Sequence, residues 1–341
     1  MRKEKRNGYF KNNEKMKVKR RKKNMFSSLL TGFLGAIIII VLILFGYTLL
    51  KTRSIEQNYP PVGNFVSTTN GEIDLHYIRE GKGVPVLLLH GRDGTLQEFT
   101  FSILGDVADQ YEVVAFDRPG YGYSECENPD RLTTKQQAKI INEALDRLGI
   151  EKPIIVGHSY GGAVMLQYLL DYPDQVRGGI SLAGVSYMDE APTESFYALP
   201  RYPVVGPLLT NTLVLPLGSV MAPTIYEQAF DPVEPPEKYV ETISSLYLRP
   251  KQFTATAHEL SHMYDSVNAI SDRYQQISTP VTILFGDTDQ MLDYRNDGER
   301  LHESLPNSKL RVIENGGHKI HFSHPEIILK ELEDLVHRTK D

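Results

Sequence analysis

The 341-residue chain lacks tryptophan and has one cysteine, Cys126. A single cysteine excludes an internal disulfide framework and a zinc site built from several thiolates. His258 and His262, four residues apart, could bind a metal together, but we interpret them as one side of a helix. The sequence therefore predicts no metal and no cofactor. Its 41% hydrophobic residues, 26 Gly and 20 Pro exclude a collagen-like or disordered chain.

Charge is distributed unevenly along the chain. Residues 1–53 carry 14 basic residues against two acidic ones, whereas residues 54–341 carry 23 basic and 41 acidic residues. Residues 26–50 contain no charged residue, and 25 residues rising 1.5 Å each can cross a hydrocarbon core of roughly 30 Å. This pattern predicts a basic tail (1–25), one transmembrane helix (26–50) and a stalk (51–62).

The flanks of this span predict its orientation. Twelve basic residues precede it, which favours a cytoplasmic N-terminus and an extracytoplasmic position for residues 51–341. An uncleaved anchor is favoured over a cleaved signal peptide, because no small-residue cleavage pattern follows the apolar run. We expect the basic tail to contact lipid head groups and not nucleic acid.

Beyond the stalk, short apolar runs alternate with helical patterns, and Asn70-Gly71 predicts a hairpin turn. Such alternation predicts the α/β class, a mostly parallel sheet with helices on both faces. The predicted helices are Leu96–Gln110, Thr134–Leu148, Gly162–Tyr172, Asn296–Leu305 and Pro325–His337. The predicted strands are Phe65–Ser67, Ile73–Ile78, Val84–Leu89, Tyr111–Phe116, Pro153–Val156, Gly179–Leu182, Val281–Phe285 and Leu310–Ile313.

One segment, residues 186–276, interrupts the alternation. It holds many prolines, no clean strand and helical patterns near Glu237–Leu248 and Thr254–Tyr264. An insertion of this length between two strands predicts a helical cap on a core formed by 63–185 and 277–341. Its apolar stretch Val204–Leu217 is interpreted as cap packing, with a membrane-facing gate as the alternative.

Ser159 is the predicted nucleophile. It lies in Gly157-His158-Ser159-Tyr160-Gly161, a G-x-S-x-G pattern that follows a predicted strand and opens a helix. A serine hydroxyl needs a base to remove its proton. His318, after the last strand, is the predicted base, with His321 and His324 as competitors.

Asp289 is the acid predicted to orient His318, because it follows strand Val281–Phe285 and can reach across the strand ends. Asp287 and Asp189 are the alternatives. The backbone N–H groups of Arg92 and Tyr160 are predicted to form an oxyanion hole. The Arg92 side chain is left with two alternatives, binding a substrate carboxylate or pairing with Asp93.

Four stretches resemble the α/β-hydrolase family in order and spacing across residues 63–341. They are HGRDG (90–94), GHSYGG (157–162), FGDTD (285–289) and GGH (316–318), and residues 117–124 resemble the DxPGxGxS stretch of capped members. The resemblance implies an eight-stranded sheet with a cap and a Ser-Asp-His triad. Epoxide hydrolases and haloalkane dehalogenases of this fold use an aspartate nucleophile, and the dehalogenases also use a tryptophan. This chain has Ser159 at the nucleophile position and no tryptophan, which argues against both classes.

Together these features predict a membrane-anchored serine hydrolase, resembling esterases or monoacylglycerol lipases, that forms an acyl-enzyme. The expected substrate is a small-molecule or lipid ester. One alternative is hydrolysis of a C–C or amide bond by the same triad. The other is a binding module that keeps the fold without catalysis.

Overall fold

The computed structural model describes residues 2–68, 73–126, 128–129, 132–191 and 196–339. Within these residues, eight strands form one sheet in the order β1-β2-β4-β3-β5-β6-β7-β8. The predicted Asn70-Gly71 turn lies outside the described residues. The strands are β1 (Asn64–Thr68), β2 (Ile73–Gly81), β3 (Pro85–Leu89), β4 (Glu112–Phe116), β5 (Ile154–His158), β6 (Gly178–Leu182), β7 (Val281–Gly286) and β8 (Ser308–Ile313).

The sheet is antiparallel at one edge and parallel elsewhere. β2 pairs antiparallel with β1 and with β4, and the remaining neighbours are parallel. β5, β6 and β7 are buried along their whole length, which is why they read as continuous apolar runs in the sequence. The predicted fold class, an eight-stranded and mostly parallel sheet with a helical cap, is confirmed.

Twelve α-helices accompany these strands in the described part of the chain. Helix α4 shows how local sequence sets their ends. Thr133 caps its N-terminus by accepting from the Gln136 amide, and Gly149 ends it with a positive φ of 65°. The helices are α1 (Arg2–Asn58), α2 (Gln97–Thr100), α3 (Leu104–Ala108), α4 (Thr134–Leu148), α5 (Tyr160–Asp171), α6 (Val205–Leu209), α7 (Leu215–Phe230), α8 (Glu237–Tyr247), α9 (Pro250–Ser271), α10 (Arg300–Ser304), α11 (Ile320–Ser323) and α12 (Pro325–Arg338).

The helix predicted over Leu96–Gln110 is interrupted. It forms two short helices, α2 and α3, separated by residues 101–103. Thr100 Oγ1 donates to the Gln97 carbonyl and Ser102 Oγ to the Glu98 carbonyl. The Ser102 amide bonds to the Phe99 carbonyl at 3.1 Å, so the Ser102 hydroxyl takes the Glu98 carbonyl that this amide would bond in a continuous helix.

The cap consists of helices α6 to α9, which lie between β6 and β7 in the chain. A π-helical turn, Thr210–Val214, joins α6 to α7. A small apolar cluster within the cap contains Tyr226 and Phe230 of α7 together with Tyr239 and Ile243 of α8.

Helix α1 extends through residues of two compact units, 1–50 and 51–341. Its part Lys19–Asn58 is long and apolar enough to cross a membrane. The first eight residues of the predicted stalk, 51–58, are helical. Ile55 is buried with Val214 and Leu215 of the cap, and Glu56 pairs with Arg249 at 3.3 Å.

Candidate active site

Ser159 lies in the sharp turn between β5 and α5. Its backbone has φ 51° and ψ −123°, a conformation that costs a non-glycine residue roughly 1–3 kcal/mol. The turn is held because the Ser159 amide donates to the Leu182 carbonyl, while the Ser159 carbonyl accepts from Gly162 and Val185. The Ser159 side chain is partly exposed among buried neighbours.

Glycines surround this turn because other backbone segments approach it closely. A Cβ on Gly157 would lie 2.4 Å from the Gly161 carbonyl oxygen. A Cβ on Gly91 would lie 2.9 Å from the Ser159 Cβ, so the loop after β3 packs directly against the serine. The G-x-S-x-G pattern is thus required by the turn geometry.

Asp289 and His318 are brought together by the loops after β7 and β8. His318 Nδ1 lies 2.8 Å from Asp289 Oδ2, and both side chains are almost fully buried. The other oxygen, Oδ1, accepts from the amides of Met291 and Leu292 at 2.7 and 3.0 Å. These amides fix the carboxylate, which in turn holds the imidazole by its Nδ1.

The competing acids and bases lie elsewhere. Asp189 pairs with Arg300 at 3.0 Å, and Asp287 is exposed to solvent. His324 Nδ1 contacts the Ser323 hydroxyl at 2.8 Å, and His321 is buried beside Glu98. Of the candidates considered, only Asp289 and His318 form a pair among the described contacts.

The predicted oxyanion donors lie in the loop after β3 and at the start of α5. Tyr160 is the first residue of α5, so its amide is one of those that a helix leaves unpaired at its N-terminus. Arg92 lies in the turn closed by the Gly94 amide donating to the Gly91 carbonyl at 3.3 Å. The Arg92 side chain donates from Nε to Asp93 at 3.1 Å. Of the two roles considered for this side chain, the structure therefore shows the pairing with Asp93.

Arg118 supports the oxyanion loop from behind. Its guanidinium donates to the carbonyls of His90 and Gly91 at 2.9 and 3.1 Å, and its amide donates to His90 Nε2. The same guanidinium pairs with Glu259 of helix α9 at 2.5 Å, where both side chains are fully buried. Arg118 therefore joins the oxyanion loop to the cap, a role that its position in the DxPGxGxS stretch does not reveal.

Glu259 also completes a motif, and the interpretation of His258 and His262 as a histidine pair without it was wrong. Residues 258–262, His-Glu-Leu-Ser-His, match the zinc-binding HExxH pattern, in which the glutamate serves as a general base. Glu259 is fully buried and accepts from Arg118, from Gln137 and from the Tyr121 hydroxyl. These partners occupy the carboxylate, so the motif has a structural role here.

A second buried glutamate, Glu98 of helix α2, contacts two of the loops that carry candidate catalytic residues. Its Oε1 lies 2.6 Å from His158 Nδ1 and 3.0 Å from His321 Nε2, and its Oε2 lies 2.9 Å from Lys319 Nζ. His158 Nε2 lies 3.2 Å from the carbonyl of His318. Glu98 thus connects the serine turn to the histidine loop, and nothing in its sequence context indicates this.

The charges in this cluster balance without a further ion. Lys319 holds the pKa of Glu98 well below its usual value against the opposing effect of burial, and burial holds the pKa of His158 low. The cluster therefore combines one carboxylate, one ammonium and neutral imidazoles.

Glu98, His158 and His321 lie close enough together to be considered as ligands of one metal ion. Among the described side chains, these three bring their possible ligand atoms within 4.8 Å of one another. Two ligands 2.1 Å from a tetrahedral zinc ion would be about 3.4 Å apart, whereas Glu98 Oε1 and His158 Nδ1 are 2.6 Å apart. That spacing is too short for two ligands of one ion, and Lys319 already supplies a positive charge beside Glu98.

Glu98→Gln is expected to destabilise the fold by about 3–5 kcal/mol, because it leaves the Lys319 ammonium buried without a counter-charge. The loss should appear as a lower melting temperature of the full chain in detergent micelles. Glu112→Gln is the matched control, since its partly exposed pair with Arg79 should contribute less than about 1 kcal/mol. Adding Lys319→Met to Glu98→Gln should restore most of the loss, and equal melting temperatures for the two glutamate variants would contradict this assignment.

Stability is also expected to fall as the pH is lowered from about 7.5 to 5. Burial lowers the pKa of His90 to about 4, and the pKa values of His158 and His321 are lowered in the same direction. Below about pH 6.5 these histidines bind protons in the unfolded chain but stay neutral in the folded one, which favours unfolding. Their contribution to the free energy of unfolding is therefore fully present only above that pH. His90 alone corresponds to a loss of about 2 kcal/mol by pH 5. A melting temperature that does not change over this range would contradict the expectation.

Comparisons with known proteins agree on the fold and differ in activity. The sequence model of the alpha/beta hydrolase fold family matches residues 84–325. The chain is similar to a 2-hydroxy-6-oxononadienedioate/2-hydroxy-6-oxononatrienedioate hydrolase of Paraburkholderia phymatum, with 26% identity covering 84% of this chain and 99% of that protein. It is 25% identical to haloalkane dehalogenase 2 of Mycobacterium tuberculosis, covering 80% of this chain and 94% of that one.

A solved structure of a membrane phospholipase A, described as a bacterial virulence factor, has the same fold. It matches with a TM-score of 0.63 and 19% identity, covering 93% of this chain and 99% of that one.

Proposed function

The chain belongs to the alpha/beta hydrolase fold family, and within it we propose a membrane-anchored serine hydrolase that cleaves carboxylic esters through an acyl-enzyme. The observation that carries the proposal is the Asp289–His318 pair, on the two loops that follow β7 and β8. The strained backbone of Ser159 supports it, since the surrounding structure maintains such strain at functional sites.

The reaction would proceed in two steps. Ser159 Oγ attacks the ester carbonyl carbon while His318 Nε2 takes the hydroxyl proton, and Asp289 stabilises the resulting imidazolium. The amides of Arg92 and Tyr160 hold the negative oxygen of the tetrahedral intermediate. His318 then returns the proton to the departing alkoxide, leaving an acylated Ser159. Water activated by His318 cleaves this ester and frees the carboxylic acid.

The cellular location is proposed from the N-terminal helix. Residues 26–50 would cross the membrane once, with the basic tail in the cytoplasm and the hydrolase unit outside. Helix α1 is long and apolar enough for such a span. The substrate would then be an ester that reaches the outer face of the membrane.

A fluorophosphonate probe tests the chemistry directly. The full chain in detergent micelles should be labelled on one residue, Ser159, as mapped by peptide mass spectrometry. A series of p-nitrophenyl esters from acetate to palmitate should be hydrolysed, and the preferred length would report the acyl site. Absence of labelling on folded protein would contradict the proposal and favour a binding module.

Carbon–carbon bond hydrolysis is the second candidate. The Paraburkholderia relative, which matches 84% of this chain, is named a hydrolase of 2-hydroxy-6-oxononadienedioate. A 2-hydroxy-6-oxo-dienoate substrate distinguishes the two. Rapid cleavage of this compound together with poor hydrolysis of aryl esters would replace the ester proposal with the C–C one.

A further inference from the structure

The cap contains a stretch without charge that is as long as the predicted membrane span. Residues 202–226 include no Asp, Glu, Lys, Arg or His over 25 residues, between Arg201 and Glu227. This uncharged cap segment comprises α6, the π-helical turn and most of α7. Its portion Val205–Phe230 is helical and apolar enough to resemble a membrane span, although a third of it is buried in the fold.

One face of the uncharged cap segment packs inside the protein. Val214 and Leu215 join the apolar cluster with Ile55, and Ala222 and Tyr226 join the cluster with Tyr239. These contacts hold the segment on the hydrolase unit, so it does not cross a bilayer.

The opposite face of the segment is exposed and apolar. Val204 is 82% exposed, Val220 79% and Met221 54%, and Leu208 and Leu217 are exposed with them. A surface helix ordinarily directs charge outward, as α4 does with Lys135, Lys139, Asp146 and Arg147. A surface helix that exposes large apolar residues and no charge indicates a binding surface.

The chain itself limits where this face can lie. Ile55, buried against Val214 and Leu215, is five residues beyond the end of the predicted span at Leu50. Five residues reach at most about 18 Å even when fully extended. If residues 26–50 cross the membrane, this short connection keeps Ile55, and with it Val214 and Leu215, within about 18 Å of the end of the span.

We propose that the uncharged cap segment inserts its exposed face into the outer leaflet of the membrane, as an interfacial helix does. Helix α7 also carries Tyr226, whose hydroxyl lies 3.5 Å from the Asp93 carbonyl in the oxyanion loop. The same helix thus extends from the bilayer-facing surface to the candidate active site. Resting on the proposed function, this assigns the substrate class as an ester with an acyl chain drawn from the membrane.

Fluorophore depth tests the insertion independently of catalysis. The full chain with Cys126→Ser and Val220→Cys would carry an NBD label in vesicles of phosphatidylcholine and phosphatidylglycerol. Val312→Cys is the matched control, an exposed valine on edge strand β8. NBD at 220 should shift to shorter wavelength, and doxyl-labelled lipids should quench it more than about twofold over the control. Val204→Cys provides a second position in case one variant folds poorly.

Two results would overturn the insertion. The first is a label at 220 that stays in water, unquenched by doxyl lipids. The second is a blue shift without lipid quenching that disappears when protein is diluted among vesicles, which would assign the face to a second copy of the chain.

Hydrolysis rates test the substrate class. Val220→Glu should lower the rate on a vesicle-bound monoacylglycerol relative to p-nitrophenyl acetate by roughly tenfold, because a charge opposes insertion. Val312→Glu should leave this ratio unchanged, and equal ratios for both variants would contradict the lipid assignment. A wild type that hydrolyses neither ester would refute the proposed function, while the NBD result would still decide the insertion.

Discussion

Replacing Ser159 with alanine is expected to lower kcat for an ester by roughly 10⁴–10⁶-fold. Alanine keeps the Cβ and the packing of the turn but removes the oxygen that would form the acyl-enzyme. The residual rate would come from substrate binding and the amides of Arg92 and Tyr160. Steady-state hydrolysis of p-nitrophenyl butyrate by the full chain, with the melting temperature as a folding check, measures the effect.

Ser244→Ala is the control for this substitution. Ser244 lies on cap helix α8, and its hydroxyl contacts only its own helix, at the Glu241 carbonyl, among the described hydrogen bonds. Its kcat should match the wild type. If Ser159→Ala retained activity within about tenfold of the wild type, another residue would have to be the nucleophile.

Asp289→Asn is expected to lower kcat by roughly 10³–10⁴-fold, for a reason specific to this loop. The amides of Met291 and Leu292 donate to Oδ1 and would select the carbonyl oxygen of an asparagine at that place. The NH₂ group would then face His318 Nδ1 and donate to it. The proton of the imidazole would move to Nε2, which could no longer accept a proton from Ser159.

Asp287→Asn and Asp189→Asn are matched controls in the same assay. Both change one carboxylate to an amide, at an exposed position and in a surface pair with Arg300 respectively. Each should retain kcat within about threefold. A larger loss for either than for Asp289→Asn would transfer the orienting role to that residue.

The elements that could be predicted from the sequence are those whose burial or loop pattern appears within a few consecutive residues. Strands such as β5 and β7 are buried on both faces and therefore read as short apolar runs. Ser159, Asp289 and His318 were found because each follows a strand within a recognisable loop pattern. The structure joins Asp289 to His318, while the catalytic roles of all three stay predictions.

Features that depend on distant residues were not predictable. Glu98 meets Lys319 across 221 positions, and Arg118 meets Glu259 across 141. Buried ion pairs of this kind appear in sequence as ordinary polar residues on a helix or loop. The His-Glu-Leu-Ser-His match shows the converse, a pattern whose glutamate is already occupied by Arg118. At the break between α2 and α3 the Ser102 hydroxyl takes a carbonyl that a continuous helix would pair with an amide, and helical periodicity does not reveal this.

The burial of Ile55 has a practical consequence for where the polypeptide can be cut. Ile55 fills a site formed with Val214, Leu215, Leu246 and Phe253. A fragment starting at Gly63 would leave that site empty and lose the pair between Glu56 and Arg249. A fragment starting at Lys51 would keep both. A protease that cuts between Ile55 and Asn58 would therefore leave a weakened hydrolase unit, and one that cuts just before Lys51 an intact one.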